Sequence, residues 1–370
     1  MVDRHAHVAR HARTAHAHSS RHFSRILSIS STHLPPTDTV LRNSYLFFPK
    51  QHVNMAAAQV DPSIYGKSGS IDKHVEGVKK QYDTPEKLEF YAQVMGDGTD
   101  NIHFGKWDGV DLDQPGAYGK ASEQMTDYMF DLVTGLVPDA AKKEGNNDDE
   151  SSFQYVDLGS GTGAAALRLT EVHPFVRKAT CLNLCEEQNI LARKRAAKLG
   201  LEGRIEVVTG TYEDCPFDDN SFDVAFSQDA FVHAFSKSKT FSEALRITKP
   251  GGAFIFCDLM CGSGEGVSDD ELQTFAATNM VNDWLSPEEN VAACKEAGWS
   301  DVTFVDLTGD IRVSFLLMLK KVETIIDNGN PDNIDEKLLL SYKTNLANRV
   351  TQVDRGVFKW GVVHAKKPSV

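Results

Sequence analysis

Tyr155-Val-Asp-Leu-Gly-Ser-Gly-Thr-Gly163 is the stretch that decides the fold of this 370-residue chain. Its apolar start predicts a buried strand, and its end predicts a tight turn into a helix over residues 164–172. The turn contains three glycines, Gly159, Gly161 and Gly163. Because glycine lacks a Cβ, it lets the backbone approach a ligand closely and keeps a strand-to-helix corner tight. Asp157 adds a carboxylate at the end of the strand, so the stretch predicts a ligand-binding corner.

Strands and helices alternate downstream of this corner. The apolar runs predict strands over residues 154–158, 179–184, 205–209, 224–227 and 253–258, with helices over 164–172, 186–199 and 237–247. Such alternation is typical of a parallel sheet with helices on both faces. Lys249-Pro-Gly-Gly252 predicts a turn just before the fifth strand.

Further helical and extended regions complete the pattern. Residues 268–280, 287–297, 312–327 and 334–353 predict helices, and 302–305 and 358–366 predict strands, the last of them antiparallel. Upstream, residues 72–95 predict a helix broken near Pro85, and residues 122–137 predict an amphipathic helix. The Gly- and Asp-rich residues 96–120 between them predict a loop.

The charge is unevenly distributed along the chain. Residues 1–55 contain seven Lys or Arg and two Asp or Glu, whereas the remainder contains 32 basic and 50 acidic residues. Because nucleic acids are bound by basic surfaces, we expect no nucleic-acid partner and favour a small-molecule substrate. We also expect no membrane partner, since no apolar run approaches the ~18 residues that span a bilayer. The six cysteines lack metal-ligand spacing, so we expect reduced thiols and no metal.

The composition also predicts the domain organisation. Residues 1–70 are expected to form a disordered extension, residues 71–150 a helical N-terminal lid, and residues 151–370 the main domain with a helical insertion at about 306–355. The extension is rich in Arg and Ser and poor in acids, which is typical of a mitochondrial or plastid transit peptide. The simpler interpretation is a flexible extension on a cytoplasmic protein, with Met55 as an alternative start.

The glycine-rich corner resembles the first motif of S-adenosylmethionine-dependent methyltransferases, E/D-x-G-x-G-x-G. Dinucleotide dehydrogenases use G-x-G-x-x-G, in which the last interval is one residue longer. The resemblance implies a class I Rossmann-like fold, with a mostly parallel seven-stranded sheet and helices on both faces. It also implies S-adenosylmethionine as the cofactor. A dehydrogenase and a cofactor-binding protein without activity are the alternatives from other functional classes.

The resemblance implies a role for each strand end. Asp157 would offset the α-ammonium group of the cofactor, while the glycines present backbone N–H groups and allow close approach. Asn183 would meet the ribose hydroxyls, where most such enzymes have an acid, and its amide disfavours NAD. Tyr212 would stack on adenine. The expected cofactor-binding residues are Ile102, His103, Asp157, Gly159, Gly161, Gly163, Asn183, Leu184, Gln188, Thr211, Tyr212, Gln228 and Asp229.

Four segments narrow the resemblance further. They are Cys181-Leu-Asn-Leu-Cys-Glu-Glu-Gln-Asn189, Ser227-Gln-Asp-Ala-Phe-Val-His233, Asn101-Ile-His-Phe-Gly105 and Lys359-Trp-Gly361. Together they are similar to the sarcosine/dimethylglycine N-methyltransferases of glycine betaine synthesis, across roughly residues 75–366. They also resemble the related phosphoethanolamine methyltransferases, in which a tyrosine of the N-terminal helix pairs with the histidine matched here by His233. Tyr82 lies at about that place, so the expected catalytic residues are His233 and Tyr82.

The acceptor stays open at this point. N-methylation of sarcosine or dimethylglycine is the first hypothesis. Gln228 stands where the phosphoethanolamine enzymes have an arginine, which disfavours a phosphate-bearing acceptor. Residues 312–318 are apolar enough to suit a thioether hydroxy acid such as 4-methylthio-2-hydroxybutyrate, the acceptor that leads to dimethylsulfoniopropionate. Arg312 is the candidate for binding an acceptor carboxylate.

Overall fold

The computed structural model describes residues 70–82, 92–96, 99, 101–138, 153–264, 266–330 and 334–369. The expected extension before residue 70 and the predicted helix break near Pro85 lie outside the described residues. Within them, the pattern of alternating strands and helices gives a seven-stranded sheet flanked by helices.

The sheet has the strand order β3-β2-β1-β4-β5-β7-β6. Its strands are β1 (Phe153–Leu158), β2 (Val176–Asn183), β3 (Ile205–Thr209), β4 (Phe222–Gln228), β5 (Thr248–Cys261), β6 (Ser300–Asp306) and β7 (Phe358–Lys366). The first five pair in parallel. β7 pairs antiparallel with both β5 and β6, which confirms the predicted direction of the last strand. The mostly parallel Rossmann-like sheet expected from the sequence is therefore confirmed.

The helices lie between and after these strands. They are α1 (Ile71–Tyr82), α2 (Ala117–Leu136), α3 (Ala164–Val172), α4 (Glu186–Lys198), α5 (Lys237–Ile247), α6 (Asp269–Thr278), α7 (Pro287–Glu296), α8 (Thr308–Asp327) and α9 (Glu336–Asp354). A single π-turn over Ala92–Gly96 precedes α2. Among the described residues, no helix has the length and apolar character needed to cross a membrane.

Several element boundaries differ from the sequence prediction, and two of the differences have a clear physical cause. α2 begins at Ala117 rather than 122, directly after Gly116 in a left-handed conformation. Its first turn is buried against the π-turn, and a Cβ on Gly119 would lie 2.8 Å from the Gly96 carbonyl oxygen. The predicted turn at 249–252 is wrong, because β5 runs through it as an irregular stretch whose register with β4 shifts between Phe222 and Val224. Both differences arise from packing against distant segments.

An ion pair is buried beside the carboxyl end of the sheet. Lys237, at the start of α5, places its Nζ 2.8 Å from Oδ2 of Asp258 on β5, and both side chains are 1% exposed. Burial raises the pKa of Asp258 to about 6, and the Lys237 ammonium opposes that shift. Removing one partner would leave an uncompensated buried charge, so the pair fixes α5 against the sheet. The six cysteines all lie in the described residues and form no disulfide, and no described cluster of three or more His, Cys, Asp or Glu has a metal-binding arrangement.

Candidate active site

The carboxyl ends of three neighbouring parallel strands bring polar side chains to one edge of the sheet. Asp157 lies in β1, Asn183 ends β2, and Asp229 directly follows β4. The strand register places Asp157 beside Cys181 of β2 and Phe226 of β4. Because parallel strands share one direction, their carboxyl ends form a crevice, the usual ligand-binding position in open α/β sheets.

The glycine turn shapes one side of this crevice. Gly159, Gly161 and Gly163 all have positive φ, at 85°, 54° and 78°. A Cβ on Gly159 would lie 2.5 Å from the Ala230 Cβ, whereas a Cβ on Gly161 would meet nothing within 4 Å. The N–H groups of Gly159 and Gly163 donate to the carbonyls of Leu182 and Ser160, so the prediction that the glycines present N–H groups is wrong for these two. Their missing side chains instead allow close packing against Ala230 and Ala192, while Gly161 leaves open space for a ligand.

Asp157 carries the strongest electrostatic signal in the crevice. It is 1% exposed, and its Oδ2 has no hydrogen-bond partner among the described residues. Burial raises the pKa of Asp157 to about 7, and the nearby His103 partly opposes that shift. A buried carboxylate is costly to ionise unless a cation lies beside it. The position therefore fits a ligand with a positively charged group, as the α-ammonium group of S-adenosylmethionine is.

Asn183 and Gln188 form a hydrogen-bonded pair at the end of β2. Asn183 Nδ2 donates to Gln188 Oε1 at 3.0 Å, and both side chains are buried. Leu184, the next residue, is half-buried. Because the amide nitrogen of Asn183 is held by the protein, its Oδ1 is the atom that would meet a ribose hydroxyl.

Tyr212 lies in the core below the glycine turn. Its ring is 7% exposed, packs edge-on against Phe231 with centroids 5.0 Å apart, and its hydroxyl donates to the Ala230 carbonyl at 3.2 Å. The predicted adenine-stacking role of Tyr212 is not supported, since the aromatic core below β4 and β5 holds the ring. The neighbouring Thr211 accepts a hydrogen bond from the Glu213 N–H.

Asp229 connects the segment 101–105 to the sheet. Its Oδ1 accepts a hydrogen bond from Trp360 Nε1 at 2.9 Å, and its Oδ2 lies 3.4 Å from the Phe104 N–H and 3.5 Å from His103 Nδ1. The backbone of Asp229 has a φ of 53°, a region that costs free energy for a residue other than glycine. This strain occurs where the Asp229 carboxylate contacts His103 and Phe104 and so fixes the neighbouring Ile102 near the sheet.

A buried polar network that the sequence analysis missed supports Gln228. Thr126 on α2 donates to Gln228 Oε1 at 2.9 Å and accepts from Asn101 Nδ2 at 3.0 Å. Gln228 is 2% exposed, and its Nε2 has no hydrogen-bond partner among the described residues. The spacing of apolar residues predicted that this face of α2 would be apolar. No feature of the local sequence indicated that Thr126 would join a polar network.

Tyr82, at the end of α1, and His233, shortly after β4, are in direct contact. Tyr82 Oη is 2.7 Å from His233 Nε2, and the ring centroids are 5.3 Å apart. His233 Nδ1 lies 3.3 Å from the Met280 carbonyl oxygen. Since a carbonyl only accepts, Nδ1 carries the proton and Nε2 accepts from the tyrosine hydroxyl. Burial lowers the pKa of His233 to about 4, so the imidazole is neutral near pH 7.

Arg312 pairs with a carboxylate of the protein, which is not the partner expected from the sequence. Its guanidinium makes a two-point contact with the Asp354 carboxylate at 2.5 and 3.1 Å, and 42% of its side chain is exposed. The guanidinium therefore already binds a carboxylate of the protein. The prediction that Arg312 binds the carboxylate of an acceptor is not supported by this geometry.

Comparison with known proteins identifies the class of enzyme. Residues 156–256 match the profile of a methyltransferase domain family. The chain is 28% identical over 304 residues to a glycine/sarcosine/dimethylglycine N-methyltransferase of Actinopolyspora halophila, covering 80% of this chain and 52% of that protein. It is 26% identical to a sarcosine/dimethylglycine N-methyltransferase of Halorhodospira halochloris, covering 80% of this chain and 98% of that protein. This chain is an S-adenosylmethionine-dependent methyltransferase.

Solved structures of other methyltransferases have a similar fold. A protein of Galdieria sulphuraria, provisionally described as a sarcosine dimethylglycine methyltransferase, matches with a TM-score of 0.65 and 23% identity, covering 77% of this chain and 99% of its own. A phosphoethanolamine N-methyltransferase of Haemonchus contortus matches with a TM-score of 0.63 and 16% identity, covering 80% and 60%. The chain spans about half the length of the Actinopolyspora relative and nearly all of the Halorhodospira one.

The cofactor of this methyltransferase is S-adenosylmethionine, and its affinity is expected to depend on Asp157. As the pH falls below about 7, protonation of Asp157 removes the charge that attracts the cofactor ammonium. The dissociation constant should then rise by up to about tenfold per pH unit. Calorimetric titration over about pH 5.5 to 8.5 measures this, with Asp157→Asn expected to bind weakly and without that slope. A wild-type affinity that stays level over this range would contradict the assignment.

The raised pKa of Asp157 also predicts how the stability of the fold changes with pH. Because folding raises the pKa of Asp157 from 3.8 to about 7, its contribution to stability is full below pH 3.8 and is lost as the pH rises through 7. A bound ammonium group offsets that loss. The increase in Tm on cofactor binding is therefore expected to be larger above pH 7 than below it.

Proposed function

We propose that this methyltransferase methylates the nitrogen of a small N-methyl amino acid, with sarcosine or dimethylglycine as acceptor and glycine betaine as the end product. The 2.7 Å contact between Tyr82 and His233 supports this proposal most directly. It provides an oriented hydroxyl and imidazole beside the cofactor crevice. The names of the relatives, which span most of this chain, point to the same acceptors.

The division of labour follows from the geometry. S-adenosylmethionine supplies a methyl group that its sulfonium already activates. Asp157 binds its cationic end, and the glycine turn gives it room. Tyr82, held by His233, orients the acceptor nitrogen towards the methyl carbon. Alignment of this kind can contribute ~7–11 kcal/mol to lowering a barrier, provided that the reacting atoms are held in line.

The low pKa of His233 limits the proton transfers in which the Tyr82–His233 pair can take part. At a pKa of about 4, the imidazole is too weak a base to take a proton from an alkylammonium ion. The acceptor amine therefore binds in its unprotonated form, and the tyrosine hydroxyl positions it. Dimethylglycine suits this site because its unprotonated nitrogen has no N–H bond. Attaching the third methyl group gives a quaternary ammonium, so no proton has to be removed.

A second candidate is S-methylation of a thioether hydroxy acid such as 4-methylthio-2-hydroxybutyrate. A thioether sulfur needs no base, which agrees with the depressed pKa of His233. The crevice wall is also aromatic, since Phe104 packs edge-on against Phe315, and Phe315 against Phe358. Aromatic faces attract cations, so they would bind either a sulfonium product or a quaternary ammonium product.

A side-by-side assay tests these proposals. The protein is incubated with S-adenosylmethionine and either sarcosine, dimethylglycine, 4-methylthio-2-hydroxybutyrate or phosphoethanolamine, and each product is measured by mass spectrometry. The highest kcat/KM is expected on dimethylglycine. A higher value on the thioether would transfer the assignment to the second candidate. Faster turnover of phosphoethanolamine, or no product from any of the four, would overturn both.

A further inference from the structure

We infer that Gln228 donates a hydrogen bond through Nε2 to the carboxylate of the S-adenosylmethionine tail, and that Thr126 is a positioning residue for this contact. The cofactor and an acid acceptor both carry a carboxylate. The position of Gln228 relative to Asp157 assigns its donor to the cofactor. The inference therefore depends on the cofactor alone and holds whichever acceptor the enzyme methylates.

The amide of Gln228 is buried with one of its two ends unpaired. Gln228 is 2% exposed, and its Nε2 has no hydrogen-bond partner among the described residues. A buried N–H group without a partner destabilises a fold, so native proteins nearly always pair such groups with protein, water or ligand. A ligand oxygen at this place would supply the missing acceptor.

A chain of hydrogen bonds that starts at the backbone sets the orientation of this amide. The backbone N–H of His103, which can only donate, lies 3.3 Å from Asn101 Oδ1 and fixes that oxygen as an acceptor. Asn101 Nδ2 is then the donor to Thr126 Oγ1 at 3.0 Å. The Thr126 hydroxyl donates to Gln228 Oε1 at 2.9 Å, a shorter contact than the 3.4 Å to the Ser122 carbonyl. With Oε1 used in this way, Nε2 is the end of the amide that meets the ligand.

The complementary group lies on the neighbouring strand. Asp157 on β1 pairs with Phe226 on β4, and Gln228 follows two residues later, so the side chains of Asp157 and Gln228 project from the same face of the sheet. Among the described residues, Asp157 Oδ2 is a buried acceptor without a partner and Gln228 Nε2 is a buried donor without one. A donor and an acceptor on adjacent strands match the carboxylate and the ammonium that an α-amino acid carries on one carbon.

A neutral donor suits this position better than a charged one. A guanidinium or ammonium side chain at position 228 would be attracted to the Asp157 carboxylate and would compete with the cofactor ammonium for it. An amide does not compete in this way. Its hydrogen bond to a carboxylate is also stronger than a bond between two neutral groups, because the acceptor is ionised. Asp157 is thus left for the ammonium, while Gln228 binds the other half of the zwitterion.

The test compares S-adenosylmethionine with decarboxylated S-adenosylmethionine, which keeps the sulfonium and the ammonium but lacks the carboxylate. Calorimetric titration of wild-type protein without acceptor is expected to show a clear preference for the intact cofactor. Gln228→Leu should weaken binding of the intact cofactor by roughly 10- to 100-fold and leave binding of the decarboxylated form unchanged. Gln228→Glu, which sets a carboxylate against a carboxylate, should reverse the preference.

The ratio of these two affinities also tests the role of Thr126. Thr126→Val removes the hydroxyl that orients the amide and is expected to lose most of the preference for the intact cofactor. Thr126→Ser, which keeps a hydroxyl, should recover that preference. The matched control is Thr134→Val, because Thr134 lies on the same helix but its hydroxyl donates to the Phe130 and Asp131 carbonyls of that helix.

The titrations contain no acceptor, so an error in the proposed acceptor does not affect them. A preference that Gln228→Leu leaves unchanged would overturn the inference. If that variant instead raised the KM of an acid acceptor but not of its methyl ester, the donor would belong to the acceptor carboxylate, and the assignment to the cofactor would be wrong. A purely structural role would weaken both forms of the cofactor equally. Should Gln228→Leu not fold, as judged by Tm, the ratios in Gln228→Glu and Thr126→Val decide in the same way.

Discussion

Tyr82→Phe and His233→Asn are each expected to lower kcat on dimethylglycine by about 100-fold, because loss of an oriented hydroxyl misplaces the acceptor. The two residues act as one unit through their 2.7 Å contact, so the double variant should lose little more than either single one. Steady-state kinetics of the three variants measure this. The dissociation constant for S-adenosylmethionine should stay at its wild-type value in all of them.

The control for this experiment is Tyr155→Phe. Tyr155 lies on β1, where its ring packs against Phe130 and Phe226, and its buried hydroxyl has no hydrogen-bond partner among the described residues. Removing that hydroxyl should leave kcat unchanged. Losses that add up in the double variant would show that Tyr82 and His233 act separately. A thioether acceptor, which depends less on the pair, should be affected less by either variant.

Gly159→Ala is expected to abolish cofactor binding and to destabilise the fold by about 2–6 kcal/mol, the sum of a strained φ and an overpacked contact. The new Cβ would lie 2.5 Å from the Ala230 Cβ, and φ is 85°. Gly161→Ala separates the two effects. Its Cβ meets nothing within 4 Å in the protein, so it should weaken cofactor binding with a much smaller loss of stability.

The matched control for the glycines is Gly135→Ala. Gly135 lies near the end of α2, where a Cβ would meet nothing within 4 Å. Alanine is favoured over glycine in a helix by about 0.5–1 kcal/mol, so this variant should bind the cofactor normally and be slightly more stable. Urea unfolding and calorimetric titration measure both quantities. Normal cofactor affinity in Gly159→Ala would disprove the role of the turn.

The sheet could be predicted from the sequence because its strands have strong local signals. The bounds of β3 and β7 were predicted to the residue, and β1 and β6 to within two. The starts of β2 and β5 were missed, since Arg177, Lys178 and the segment 249–252 look like loop residues. Pairing of Val176 and Lys178 with β1, and of Thr248 with β4, carries these strands further back along the chain, with a register shift at each place.

Some residues of the candidate site could likewise be predicted from the sequence, and others could not. Asp157, the glycine turn and the Tyr82–His233 pair were predicted from motif and resemblance, and the structure places Tyr82 Oη 2.7 Å from His233 Nε2. Tyr212 was misjudged because its sequence position does not reveal the aromatic core that buries it. Met280 gave no signal, since its role depends on a backbone carbonyl and a positive φ rather than on its side chain.

The sequence by itself determined the alternating sheet, the glycine corner and the class of cofactor, because each depends on residues that are neighbours in the chain. Only the tertiary structure decided the partners of the arginines: Arg312 pairs with Asp354, and Arg349 packs over the Phe275 ring and donates to Asn279. Asp354 lies 42 residues from Arg312, and Asn279 lies 70 residues from Arg349. Arginine side chains are alike in sequence, and their partners are chosen by folding, which brings charges and aromatic faces together across such separations.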